Sequence, residues 1–223
     1  MKIEQVIKRV GKAIKQYIFS IFIVIAIINI PEYYISLIIP KVLSGIAPIY
    51  VSLLLLAVAG IFEMWLIFIF CELLEAMRLG KRWSMPKTII KTFMRLPGAI
   101  PMMLVIIIFT ILGTAFYVFP GVVWFIFTAF SYQIYYFSAI KDLEAIKLSF
   151  KFVIKTGAEA VTLVSMMGVL VYLSSYSLRT FLVGDQWYIG LLVVCLNGIV
   201  AGFSYLMMTQ FFIVVNEEAK EQR

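Results

Sequence analysis

Six stretches of the chain are each long and apolar enough, as an α-helix, to cross the hydrocarbon core of a bilayer. That core is ~30 Å thick and takes about twenty apolar residues in helix, because a peptide group left unsatisfied in lipid costs several kcal/mol. The stretches cover residues 17–39, 46–74, 98–119, 121–140, 158–178 and 189–215. Composition agrees, since 63% of the 223 residues are apolar and 14% are charged, against ~25% charged in soluble domains. A soluble globular domain and a disordered chain are both excluded. The first stretch is longer than the apolar region of a signal peptide, and no small-residue cleavage motif follows it, so it is expected to remain as a span. The fold expected is all-α: a single integral membrane domain over residues 1–223, with six transmembrane helices in three hairpins.

The Lys and Arg residues set the expected orientation. Five precede the first stretch, six lie between the second and third, four between the fourth and fifth, and two follow the sixth. Of 19 such residues, only Lys41 and Arg179 fall on the other side. The positive-inside rule therefore predicts both termini in the cytoplasm. The formal charge of +7 is carried by short segments between apolar spans, which suits anionic headgroups and gives no reason to expect nucleic acid. Phe119-Pro120-Gly121 reads as a tight turn, which makes spans three and four an antiparallel pair in contact.

Each basic segment has helical periodicity of its own. Ile3, Val6, Ile7, Val10 and Ile14 share one face, with Lys8, Lys12 and Lys15 off it. Ser84 is placed to cap a helix with Pro86, Ile89, Ile90 and Phe93 on one side and Lys87, Lys91 and Arg95 opposite. Asp142 is placed to cap another, with Leu143, Ile146, Phe150 and Val153 facing away from Lys147, Lys151 and Lys155. Lys8, Lys12, Lys87, Lys91, Arg95, Lys147, Lys151 and Lys155 are thus candidate headgroup contacts on interfacial helices. Aligned without gaps, the segments suggest three parallel repeat units, approximately 1–80, 81–140 and 141–223, each an interfacial helix followed by two spans.

The chain contains no histidine, which removes Ser-His-Asp and Cys-His catalysis and His-ligated metal sites. No Gly-rich nucleotide loop is present. Cys71 and Cys195 lie within apolar stretches and read as packing residues. No catalytic residue, cofactor or metal ligand is expected, and the chain is not expected to be an enzyme. Polar side chains at membrane depth need an explanation. Glu63, Asn29 and Gln133 fall at similar depth on spans two, one and four, and form a candidate intramembrane polar cluster. Its functional reading is a proton- or cation-binding group. Its structural reading is a protonated Glu63 donating an interhelical hydrogen bond worth ~1 kcal/mol. Pro31 is expected to kink span one beside Asn29. Gly198 and Gly202 form a Gly-x-x-x-Gly pair that allows close helix packing, within the molecule or between copies.

The residues before Pro120-Gly121, the aromatic span after them, and the run from Asp142 through Ala145, Ser149 and Val153 together resemble a known signature. It is the Leu-Pro-Gly, span, Ala-Leu-x-x-Ser-x-x-Leu-Val pattern of the YciC-like and glycerophosphoryl diester phosphodiesterase membrane-domain families. The resemblance covers the central and C-terminal two-thirds. It implies a bacterial six-helix protein of the inner membrane and transfers no catalytic residue. The function expected is therefore non-catalytic, through lipid contact or organisation of a partner in the bilayer. The alternative is a permease-like subunit of an exporter or peptide-immunity system working with a separate ATPase.

Overall fold

A computed structural model describes residues 2–138, 140, 143–181 and 187–221. Among these residues every regular element is a helix: α1 (Lys2–Val42), α2 (Pro48–Arg78), α3 (Met85–Phe93), α4 (Leu96–Phe116), α5 (Val118–Thr128), α6 (Ser131–Ser138), α7 (Leu143–Thr156), α8 (Ala158–Phe181) and α9 (Trp187–Glu221). Five segments are long and apolar enough to cross a membrane, and a sixth is reached by counting α7 and α8 as one bent pair. The chain is an all-helical, multi-pass membrane protein.

Local chemistry places the ends. Pro48 opens α2, and Pro86 and Pro97 sit in the first turns of α3 and α4, where a missing N–H has no intrahelical acceptor to lose. Gly80 ends α2 at φ +64. Its N–H donates to Met77 O at 3.2 Å and the Lys81 N–H to Ala76 O at 2.8 Å, the paired bonds that satisfy a helix C-terminus. Gly157, at φ +59, lets the chain turn through 111° between α7 and α8. Ser84 occupies the N-cap position of α3 in extended geometry but makes no side-chain capping bond. The cap expected at Asp142 lies outside the described residues.

Three expectations are corrected. The kink of the first span does not fall at Pro31: α1 is two helices joined across a kink at Tyr17 (φ −128, ψ 20), where the first basic segment gives way to the span. Pro31 is exposed. The turn between the third and fourth spans lies at Tyr117, which is extended, and not at Pro120-Gly121. Pro120 is the third residue of α5, where its absent N–H is again unneeded. Gly121 serves packing instead: a Cβ there would lie 2.3 Å from Thr114 Cγ2, and one on Gly113 would lie 2.8 Å from Gly121 Cα. Finally, the fourth span is broken into α5 and α6 around Ala129 and Phe130.

That break is closed by side chains. The Ser149 hydroxyl, reaching in from α7, donates to Phe127 O at 2.7 Å and accepts the Phe130 N–H at 3.2 Å. The Gln133 amide, oriented by its hydrogen-bonding surroundings, donates to Ala129 O and Phe130 O at 3.2 and 3.3 Å. Both side chains are fully buried. Broken backbone at membrane depth is tolerated where protein groups re-satisfy it, as here.

Helix pairs α1–α2, α4–α5 and α8–α9 pack together, and α1 also packs along α9. Phe68, Phe70, Phe130 and Phe211 are fully buried among Met64, Met102, Met103 and Leu206. Phe130, Phe152, Phe211, Phe212 and Phe137 continue as a chain of ring contacts from α6 through α7 to α9. With lipid as apolar as the core, such close packing is what holds the helices together.

The Gly121 contact is testable. Gly121→Ala is expected to lower stability in detergent by about 1–3 kcal/mol through overpacking. Gly11→Ala, with nothing within 4 Å of the added Cβ, should be neutral or stabilising by up to ~1 kcal/mol. Thermal unfolding of the two variants beside the native chain measures the difference.

Candidate functional site

Two places in the molecule bring polar groups together. The first is a cavity of about 200 Å³ at membrane depth, bounded by α1, α2, α8 and α9. Asn29 and Glu32, three residues apart on α1, point into it. Glu63 enters from α2, and Asn197 and Tyr205 from α9. Glu63 lies nine residues, or ~13 Å of helix, from the charged end of α2 at Glu72. Glu63 and Glu32 both contribute to the cavity wall. Tyr205 lines the same cavity as Glu63. Asn29 Nδ2 donates to Ile25 O at 2.7 Å, and Ser174 donates to Asn197 Oδ1 at 3.2 Å.

The seam between α1 and α9 shapes this cavity. A Cβ on Gly198 would lie 2.6 Å from Asn29 Nδ2, and one on Gly202 would lie 2.9 Å from Ile25 Cδ1. The Gly-x-x-x-Gly pair is therefore occupied within the molecule, where it lets Asn29 approach the α9 backbone.

Of the three residues grouped from sequence, Asn29 and Glu63 line the cavity. Gln133 does not; it is buried in the mended break of the fourth span. Glu32 and Tyr205 complete the cavity and were not singled out from sequence. Glu32 stands three residues after Asn29 within an apolar stretch, and that spacing is a legible mark of a shared helix face. Among the described residues no Lys or Arg lines the cavity, and a proton or a cation is what would neutralise its two carboxyl groups. Among the described residues no three His, Cys, Asp or Glu side chains converge as metal ligands.

The second place is the basic end of the bundle. Contacts between residues distant in the sequence gather there the start of α1, the ends of α2, α6 and α9, and helices α3 and α7. Arg9 pairs with Glu217 at 2.6 Å, Arg78 with Glu75 at 2.5 Å and Lys91 with Glu72 at 2.6 Å. Glu72 also accepts from the Tyr136 hydroxyl. The Arg95 guanidinium donates to Tyr136 O at 3.2 Å and sits 4.6 Å from the centre of the Tyr136 ring.

The eight candidate headgroup residues thus divide. Lys91 and Arg95 are engaged across the fold, and Lys8 pairs with Glu4 one turn away. Lys12, Lys87, Lys147, Lys151 and Lys155 are exposed and form no ion pair or hydrogen bond with a described residue. On α3 the buried face is Thr88 and Thr92, with Trp65 Nε1 donating to Thr92 Oγ1 at 3.0 Å. Ile90, Phe93 and Met94 are 58%, 57% and 74% exposed. On α1, Val6, Val10 and Ala13 are buried in the protein, whereas Ile7 is exposed.

Comparison with known protein families, with curated proteins and with solved structures gives no match.

The division among the cations carries an expected outcome. Arg95→Ala removes a charge-assisted bond and a ring contact, and should cost about 1–3 kcal/mol. Lys87→Ala should stay within about 0.5 kcal/mol. Thermal unfolding in detergent at fixed ionic strength compares the two.

Proposed function

We propose that this chain is a non-catalytic protein of the bacterial inner membrane that acts through anionic lipid at its basic end, alone or while organising a partner there. The observation that carries this reading is the pairing of exposed, unpartnered cations with exposed apolar side chains on the same short helices. On α3, Lys87 stands one turn from Ile90, and Phe93 and Met94 are exposed at the end of the same helix; on α7, Lys147, Lys151 and Lys155 stand beside Leu143 and Ile154. In water those apolar groups would be left hydrated. At a headgroup boundary they reach acyl chains while the ammonium groups meet phosphate. In this reading α3 and α7 lie along the cytoplasmic leaflet, and the near-perpendicular turn into α8 supports that placement of α7. Six spans with both termini inside, the three repeat units and kinship with the YciC-like families belong to the same proposal.

A second reading, the permease-like subunit, is favoured by the cavity of Glu32, Glu63, Asn29 and Asn197. Two carboxyl groups without a basic neighbour among the described residues are a costly arrangement at membrane depth, and costly intramembrane acids mark ion and proton paths.

Two measurements separate them. The full chain in nanodiscs containing phosphatidylglycerol should unfold at higher temperature than in phosphatidylcholine alone. Each nearby Lys is worth ~1 kcal/mol of attraction, and the gain should shrink in 0.5 M salt, as screening over a few ångströms requires (about 3 Å at 1 M). Equal stability in both lipids contradicts the lipid reading. Glu63→Gln, which keeps shape and hydrogen-bonding capacity, is expected to complement a deletion strain as well as the native gene. A folded Glu63→Gln protein that fails to complement puts the permease reading first.

A further inference from the structure

We propose that the cavity enclosed by α2, α6, α7 and α9 at the basic end binds one anionic amphiphile. Its phosphate or carboxylate head would sit against Lys151 and Lys155, with an acyl chain over an aromatic floor. The inference rests on the lipid reading of this end and adds to it a discrete, saturable site. The cavity measures about 540 Å³, within the range of small-molecule sites. Its floor is apolar: Ile134 and Phe137 from α6, Leu148 and Phe152 from α7, and Phe212 and Ile213 from α9. Its rim is charged, and the charges are unequally satisfied.

Among the described residues two carboxylates reach the rim, and both are already engaged. Glu75 holds Arg78 through two bonds, at 2.5 and 2.9 Å. Glu217 accepts from Arg9 at 2.6 Å. Lys151 and Lys155 line the same cavity without a partner among the described residues. They stand one turn apart on one face of α7, an arrangement of like charges that is unfavourable until an anion lies between them. Leu148 and Phe152 share that face, so one helix offers both the cationic and the apolar half of the site. An inorganic phosphate would answer the lysines and leave the floor hydrated; an uncharged lipid would cover the floor and leave the lysines repelling. An amphiphile with an anionic head satisfies both. The cavity also lies at the level where α2 and α9 change from apolar to charged side chains, which is where headgroups sit.

The test is native mass spectrometry of the full chain released from nanodiscs, titrated with phosphatidylglycerol, phosphatidylethanolamine and glycerol phosphate. The native chain should retain one phosphatidylglycerol in preference to phosphatidylethanolamine, and should not retain glycerol phosphate. Lys151→Gln/Lys155→Gln should weaken that single binding event by at least tenfold. Lys151→Arg/Lys155→Arg should keep it, and so should Lys12→Gln/Lys87→Gln, which removes the same charge elsewhere. Leu148→Trp, which fills the floor and spares every charge, should abolish it. Circular dichroism of each variant identifies any that fails to fold, and the Arg pair and the Trp variant then carry the test. If both Gln pairs weaken retention equally, the discrete site is refuted and the broader lipid reading stands. If glycerol phosphate binds as tightly as the lipid, the site is one for free phosphate and the amphiphile is refuted. If the native chain shows no preference for the anionic lipid, both readings fall together.

Discussion

Inside a bilayer a peptide group has no water to turn to, and the Ser149 hydroxyl supplies what the chain needs where that constraint presses hardest. The fourth span breaks at Ala129 and Phe130, and Ser149 takes up one carbonyl and one N–H across the break. Leaving both unsatisfied would cost several kcal/mol each in lipid. The same two bonds fix α7 against α5 and α6. Once Ser149 is held, helical geometry determines where the next turns fall: Phe152 against Phe130, Phe211 and Phe212, and Lys151 and Lys155 over the cavity at the basic end. A bond that mends backbone therefore also aims charge.

The seam of α1 against α9 does the corresponding work at the other depth. Gly190, Gly198 and Gly202 face Tyr33, Asn29 and Ile25 in turn, so the first and last spans run antiparallel at close range. Small residues are what permits such an approach when dispersion, and not water exclusion, drives association. The consequence is chemical as well as mechanical, because this contact holds Asn29 and Glu32 opposite Asn197 and Tyr205, with Glu63 entering from α2. A bulkier residue at Gly198 would displace Asn29 and open or close the cavity.

Hydropathy made the spans legible because the cost of an unsatisfied backbone in lipid allows few alternatives to a helix. The clustering of cations was legible for a similar reason. What could not be read were partnerships between residues distant in the chain. Lys91 meets Glu72 and Arg95 meets Tyr136 across 19 and 41 positions, and periodicity within one segment carries no information on either. Depth alone grouped Gln133 with Glu63, but depth leaves the direction of a side chain open, and the break in the fourth span turns Gln133 to its own backbone. Pro120-Gly121 looked like a turn because those residues make turns elsewhere. Proline is equally at ease in the first turn of a helix, and glycine in a close contact between helices, and here they take those second roles three and four residues beyond the true turn at Tyr117.

The central proposal is that Lys87 and Lys151 lie at one end of a membrane-spanning bundle, facing the cytoplasmic leaflet, with Tyr117 at the other end. Cysteine accessibility tests it most directly. In a chain whose Cys71 and Cys195 are replaced by Ala, single substitutions Lys87→Cys, Lys151→Cys and Tyr117→Cys are exposed to a membrane-impermeant maleimide in spheroplasts, then again after lysis. The account predicts that Tyr117→Cys is labelled before lysis, and that Lys87→Cys and Lys151→Cys are labelled only after it. Labelling of Lys87→Cys and Lys151→Cys from opposite sides, or of both before lysis, would contradict it.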